Sequence, residues 1–146
     1  MCVMKTLLLA AVLLATPASA RDQGQWGDTD PAVRQWFQSL MQPDNPYVSC
    51  CGESDAYFAD SYKVGSHGET IAIVTDERPD SWVDNSGITH SRPHIPVGTQ
   101  VIIPDAKIKW DKGNPSGHGL VFVGASYVST DGSVQNVYCY VPPGGV

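Results

Sequence analysis

An α+β fold is what this sequence predicts: one N-terminal amphipathic helix on a small, mainly antiparallel β-sheet or partly closed barrel of five or six short strands. Three observations lead there. Between Asp30 and Pro43 the apolar residues recur at helical period, whereas beyond residue 50 they come in short β-type runs broken by Gly, Pro, Asn and Asp. Beyond residue 20, finally, the cysteines fall in two places, with Cys50 and Cys51 adjacent and Cys139 near the C-terminus. A bond from either of the pair to Cys139 would staple the last strand to the segment that follows the helix.

The helix is the plainest element. Asp30 is a suitable N-cap, Pro31 suits the first helical position, and Asp28 and Asp30 complement the positive end of the helix dipole. Val33, Trp36, Phe37, Leu40 and Met41 form one apolar stripe, and Pro43 stops it ahead of a turn through Asp44, Asn45 and Pro46. Tyr57 to Val64 reads ambiguously: residues 51–60 could form a short helix, and Ser61 to Val64 could begin a strand. Thr70 to Thr75, Thr99 to Ile103 and Ala106 to Trp110 read as strands. Leu120 to Val123 is a continuous apolar run, the pattern of a strand buried on both faces. Ser133 to Val141 alternates, which groups Val137, Cys139 and Val141 on a core-facing side. Between these lies Asp76 to Pro96, a long irregular segment with three prolines. Its length exceeds the roughly 12 to 15 residues of ordinary loops, which points to a functional or mobile segment.

The first twenty residues look like a secretory signal: Lys5 gives a positive start, Leu7 to Leu14 an apolar stretch, and Ala18, Ser19 and Ala20 a small-residue cleavage pattern. Residues 21–146 are then expected to form a single exported domain, periplasmic or secreted. No later stretch approaches the roughly 20 apolar residues of a membrane span, so no membrane insertion is expected. Without Lys5 the remainder has eight basic against fifteen acidic residues, a formal charge near −7. That balance argues against nucleic acid as a partner, because binding it needs clustered Lys and Arg.

Of the four cysteines Cys2 is expected to leave with the signal, and in an oxidising compartment two of the remaining three should pair, leaving one thiol over and permitting a disulfide-linked dimer. A bond between Cys50 or Cys51 and Cys139 closes about 90 residues, worth on the order of 4 to 5 kcal/mol in the chain-entropy description. A bond between neighbouring Cys50 and Cys51 would close only a strained local ring. Chemically, Cys51 or Cys50 would be a reactive thiolate if residues 52–54 opened a helix over it, and His118, just before the apolar strand, would be its base.

His90 and His94 stand four apart, a metal-ligand spacing on a helix, but Pro93 and Pro96 exclude a helix there; with His67 and His118 they remain weak metal candidates. Asp76, Glu77, Asp80 and Asp84 lack the calcium-loop pattern and read as a solvated acidic loop. The glycine-rich stretch from Gly113 to Gly119 lacks the Lys-Ser/Thr that completes a phosphate-binding loop. It reads as a turn feeding the buried strand. No cofactor is expected.

Trp36, Phe37, Ser39 and Leu40, then Pro46, Ser49, Cys50, Cys51 and Gly52, then Ile95 and Pro96, Asn114 to His118, and Tyr138 to Pro143 follow a layout that resembles a family of small exported bacterial proteins of uncharacterised function. The resemblance implies an exported address and a two-ended cysteine framework. Relatives often carry a further cysteine where this chain has Ala56, which leaves a cysteine unpaired here. Separately, Gly117 to Gly124 is similar to the His-bearing strand of cell-wall peptidases of the NlpC type, without their Asp-Cys-Ser-Gly helix start.

The expectation from sequence is therefore an exported, disulfide-stabilised binding or structural module of unknown ligand, more a non-enzyme than an enzyme. Its rival is a cysteine-dependent cell-wall peptidase or amidase using Cys51 or Cys50 with His118. A metal-binding periplasmic protein is the third.

Overall fold

The structure is a computed structural model that describes residues 30–50, 54–84, 86–110, 113–124 and 134–144. The expected signal segment at residues 1–20 lies outside them, as does Cys51.

Helix α1 (Pro31–Ser39) has Asp30 at its N-cap, the carboxylate accepting from the Ala32 N–H at 2.7 Å. Leu40 is already extended (φ −73°, ψ 114°), so the chain leaves the helix before Met41, which starts a strand instead of closing the helical stripe. Strands β1 (Met41–Gln42) and β2 (Asn45–Ser49) make a hairpin about the Pro43–Asp44 turn. Strand β3 (Ser54–Phe58) shows that the short-helix alternative for residues 51–60 does not hold over its described part; the chain turns a corner at Ala59 and Asp60 and continues as β4 (Ser61–Val64).

Two three-stranded antiparallel sheets meet at that corner. One has the order β10 (Cys139–Val141), β9 (Leu120–Gly124), β3; the other has β4, β5 (Thr70–Ile73), β8 (Gln100–Ile103). The Ala59 N–H donates to Gly119 O and the Thr75 N–H to Phe58 O, both at 2.8 Å, which locks the sheets together. Among the described residues no closed barrel forms, and the strands pair as separate small antiparallel sheets.

Strand β9 explains the layering. Its side chains alternate, Val121 and Val123 joining Tyr57, Ala72, Val74, Val101, Ile103 and Tyr140 between the two sheets. Leu120 and Phe122 join Phe37, Leu40, Cys50, Cys139 and Val141 on the helix side. A strand buried on both faces must be apolar throughout, and all five of its residues are buried.

Phe37 of α1 meets Phe122 edge-on, with centroids 6.4 Å apart. Cys50 and Cys139, both fully buried, form a disulfide in this layer. The disulfide therefore ties β10 to the chain just after the β1–β2 hairpin.

Two further expectations change. Ala106 to Trp110 is not a strand: Asp105–Lys107 form a short 3-10 turn, after which Ile108 makes a single bridge to Tyr140. The pyrrolidine of Pro104 removes a ladder donor at that point. The alternating stretch from Ser133 narrows to β10 in its described part, although Val137 and Cys139 do face the core. Gly119, next to β9, fits only without a side chain, since a Cβ there would collide with the carbonyl of Ala59. The close approach of the β3–β4 corner to β9 depends on it.

Candidate functional site

The long segment from Asp76 to Pro96 leaves the end of β5 and returns before β8, and it is less irregular than its sequence suggests. It contains a hairpin of β6 (Ser81–Val83) and β7 (Thr89–Ser91), in which Trp82 lies opposite His90. The turn is built by Asp84, whose Oδ1 accepts from the N–H groups of Ser86 and Ile88 at 2.8 and 2.9 Å. Its other oxygen meets His90 Nε2 at 2.8 Å. The hydrogen bond from His90, with those from Ile88 and Ser86, holds the Asp84 carboxyl below its ordinary range. The His90 ring in turn stacks on the Trp82 indole, 20° from parallel with centroids 5.7 Å apart.

At the base of the hairpin Asp76 is buried, its side chain 1% exposed. This corrects the solvated-loop reading for that residue. Its Oδ1 accepts from the Arg78 N–H at 3.0 Å and Nε at 2.8 Å, and its Oδ2 from Phe58 N at 3.1 Å and Arg92 Nη1 at 3.0 Å. Arg78 Nη2 bonds the same Oδ2 at 2.5 Å. Burial by itself would raise the Asp76 pKa, but the hydrogen bonds and charges of Arg78 and Arg92 outweigh it and hold the carboxyl far below the usual range.

Both arginines also donate to the Ala56 carbonyl on β3, at 2.8 and 3.2 Å. Arg78 lies over the Phe58 ring at 3.8 Å and Arg92 over the Tyr57 ring at 4.5 Å. Tyr57 completes the tie, donating from its hydroxyl to Pro93 O at 2.8 Å.

Above this base lies a cleft of about 160 Å³ lined by Arg78, Pro79, Trp82 and Arg92. Arg92 is 5% exposed and Arg78 29%, so the charged groups that reach the cleft surface are guanidiniums while the balancing carboxylate of Asp76 lies beneath them. Asp80 stands beside it, its Oδ1 3.7 Å from Arg92 Nε and its Oδ2 2.6 Å from His94 Nδ1.

His118 occupies a separate place at the β3–β4 corner. Its Nδ1 lies 3.0 Å from Asp60 Oδ2, and its ring stacks on Phe58 at 3.9 Å, opposite Arg78. Asp60 also accepts from the Gly119 N–H at 2.8 Å and the Thr75 hydroxyl at 3.1 Å. Desolvation alone would raise the Asp60 pKa, but the hydrogen bonds from His118, Gly119 and Thr75 together lower it. The glycine-rich loop before His118 is a turn, as its composition predicts, closed by the Asn114 amide donating to His118 O at 2.6 Å and Pro142 O at 2.9 Å.

The sequence-derived candidates thus fall in different places. Cys50 is bonded to Cys139, and Cys139 pairs with Phe122, four residues along the strand direction from His118, or roughly 13 Å. His90 and His94 each hold a different aspartate, and no group of three or more His, Cys, Asp or Glu side chains suited to a metal ion occurs among the described residues. The residues that sequence reasoning missed are Arg78, Trp82, Arg92 and Asp60. Their one signal was the excessive length of the loop that carries the first three.

Comparison with protein-family models, with curated proteins and with solved structures gives no match for this chain.

Proposed function

We propose that this chain is an exported, disulfide-stapled binding module whose ligand-contacting surface is the cleft of Arg78, Pro79, Trp82 and Arg92. The observation that carries the reading is the prior fixing of that surface. The guanidiniums are held by Asp76 and Ala56 O, and the indole is held by His90, which Asp84 orients. A surface ordered before binding loses little side-chain entropy when a ligand arrives. A buried disulfide fits an oxidising compartment, and no helix among the described residues is long and apolar enough to cross a membrane.

The test is to add a panel of small ring compounds of either charge at millimolar concentration and follow the indole N–H signal of Trp82, assigned with Trp82→Phe. Perturbation of that signal, with Trp36 and Trp110 unmoved, is expected. A panel that moves only the other indoles, or none, removes the reading.

A second reading, a thiol hydrolase with Cys51 as nucleophile and His118 as base, is favoured by one observation, the carboxylate of Asp60 on His118 Nδ1. A general base is oriented in this way. It requires Cys51 to alkylate at neutral pH faster than an ordinary free thiol and to slow when His118→Asn is introduced. An ordinary rate that ignores the substitution eliminates it.

A further inference from the structure

We infer that the outer edge of β4 is a strand-addition site for an extended peptide that carries an acidic residue between two apolar ones. The site is separate from the hairpin cleft and stands without it. The backbone groups that this edge presents follow from the ladder. The Gly65 N–H donates to Glu69 O at 2.8 Å, which makes Gly65 and Glu69 a hydrogen-bonded pair where β4 meets β5. Such pairs recur at every second residue of an antiparallel ladder, so Lys63 with Ile71 and Ser61 with Ile73 turn their N–H and C=O groups toward β5. Tyr62 and Val64 therefore turn theirs away from it. The far side of β5 gives the same phase, because the Val74 N–H donates to Thr99 O and Ala72 and Thr70 follow it in facing β8.

That outward side is open. Along β3 it belongs to β9, opposite the side on which Phe58 O accepts from the Thr75 N–H, and β9 gives out at the corner where the Ala59 N–H donates to Gly119 O. From Ser61 onward no strand pairs with it among the described residues, and all four residues of β4 are exposed. A row of unpaired N–H and C=O groups is the template on which an extended peptide adds.

The side chains say where an added strand gains most. Tyr62 and Val64 stand opposite Ala72 and Thr70, on the face that carries Val101 and Ile103 of β8 into the core. Yet Tyr62 is 48% and Val64 69% exposed. The core layer stops short of this edge, and apolar side chains on a further strand would extend it by cross-strand packing. The edge of β8 offers less, because its core-facing Val101 and Ile103 are already buried.

Charge selects the partner. Lys63 lies on the other face, opposite Ile71, and makes no ion pair among the described residues. A strand that bonds Tyr62 and Val64 sets its intervening residue opposite Lys63 in a non-hydrogen-bonded pair, where facing side chains come closest. A carboxylate there is favoured and a cation is not. A second copy of this chain, adding β4 to β4 through Tyr62 and Val64, would set Lys63 against Lys63. The edge thus disfavours itself and suits a partner that reads apolar, acidic, apolar.

Two end-blocked peptides, Thr-Thr-Val-Glu-Val-Thr-Thr and the same with Lys in place of Glu, are titrated to millimolar concentration into the full protein while the amide signals of Tyr62 and Val64 are followed. The Glu peptide is expected to shift both amides, to slow their hydrogen exchange and to bind about fivefold or more tightly than the Lys peptide, a lead that shrinks with added salt. The order of the two peptides should reverse in Lys63→Glu. A Glu peptide N-methylated at both valines lacks the ladder donors and is expected not to bind.

Tyr62 and Val64 amides that neither peptide moves overturn the site. Equal binding of the Glu and Lys peptides overturns the acidic partner, and undiminished binding of the N-methylated peptide overturns strand addition. These comparisons use the unmodified protein, so a fold defect in Lys63→Glu does not blunt them.

Discussion

Replacing Cys50 and Cys139 together by alanine is expected to lower the stability of the oxidised protein by about 4 to 5 kcal/mol, with a fall in Tm on the order of 15 °C. The two cysteines are 89 positions apart, so the bond removes the loop-closure freedom of most of the described chain from the unfolded state. A domain of this size has a total of about 5 to 15 kcal/mol, and the variant will be close to unfolding. The double substitution is the informative one, because Cys139→Ala alone would leave Cys50 beside Cys51 and allow a new bond between them.

A local effect should accompany the global one. Strand β10 has three residues and an outer edge, and its partner β9 holds it by a short register, Cys139 opposite Phe122 and Val141 opposite Leu120. Without the bond to Cys50, its amides should lose protection from hydrogen exchange before those of β9. Urea unfolding of the wild type with and without reductant, beside the double variant, gives the measurement. Unfolding free energies of the oxidised wild type and the double variant within about 1 kcal/mol of one another would show that the disulfide is not the staple of this fold.

How much of this was legible in the chain differs by distance along it. Strand β9 was readable because burial on both faces leaves a local mark, four apolar residues in a row from Leu120 to Val123. The pairing of Cys139 was readable as a choice between two partners, and packing beside Leu40 and Phe122 decided it for Cys50.

The site was not readable in the same way. Arg92 meets Asp76 across 16 positions and His118 meets Asp60 across 58, and nothing in either neighbourhood announces the partner. Asp76 sits among Glu77, Asp80 and Asp84 and so looks like one more solvated acid, although it is the buried centre of the segment. The hairpin was missed because its strands have three residues each, too short for alternation to register. Loop length carried the information instead: a chain that spends the 21 residues from Asp76 to Pro96 away from its two larger sheets must be held by something, and here that is an ion cluster.

Removing the centre of that cluster is the second large effect. Asp76→Ala is expected to cost about 3 to 5 kcal/mol, because it leaves the almost fully buried guanidinium of Arg92, that of Arg78 and the N–H of Phe58 without their shared acceptor. Asp76→Asn retains the shape but turns an amide toward two cations, and it should lie between the alanine variant and the wild type.

The pH dependence distinguishes loss of this charge from simple loss of packing. The carboxyl is held below its unfolded value of about 3.9, so its stabilisation is fully present above that pH and is lost as pH falls through and below it. Wild-type stability should therefore drop between pH 5 and pH 2 more steeply than that of Asp76→Ala, and the gap between the two should narrow toward acid. Urea midpoints of both proteins across that range decide the matter, and parallel curves would contradict the assignment. The same loss should reach the cleft. With Arg78 and Arg92 no longer held against β3, the wall facing Trp82 loses its fixed geometry, and any ligand that depends on that wall should weaken in step with the acid transition of the wild type.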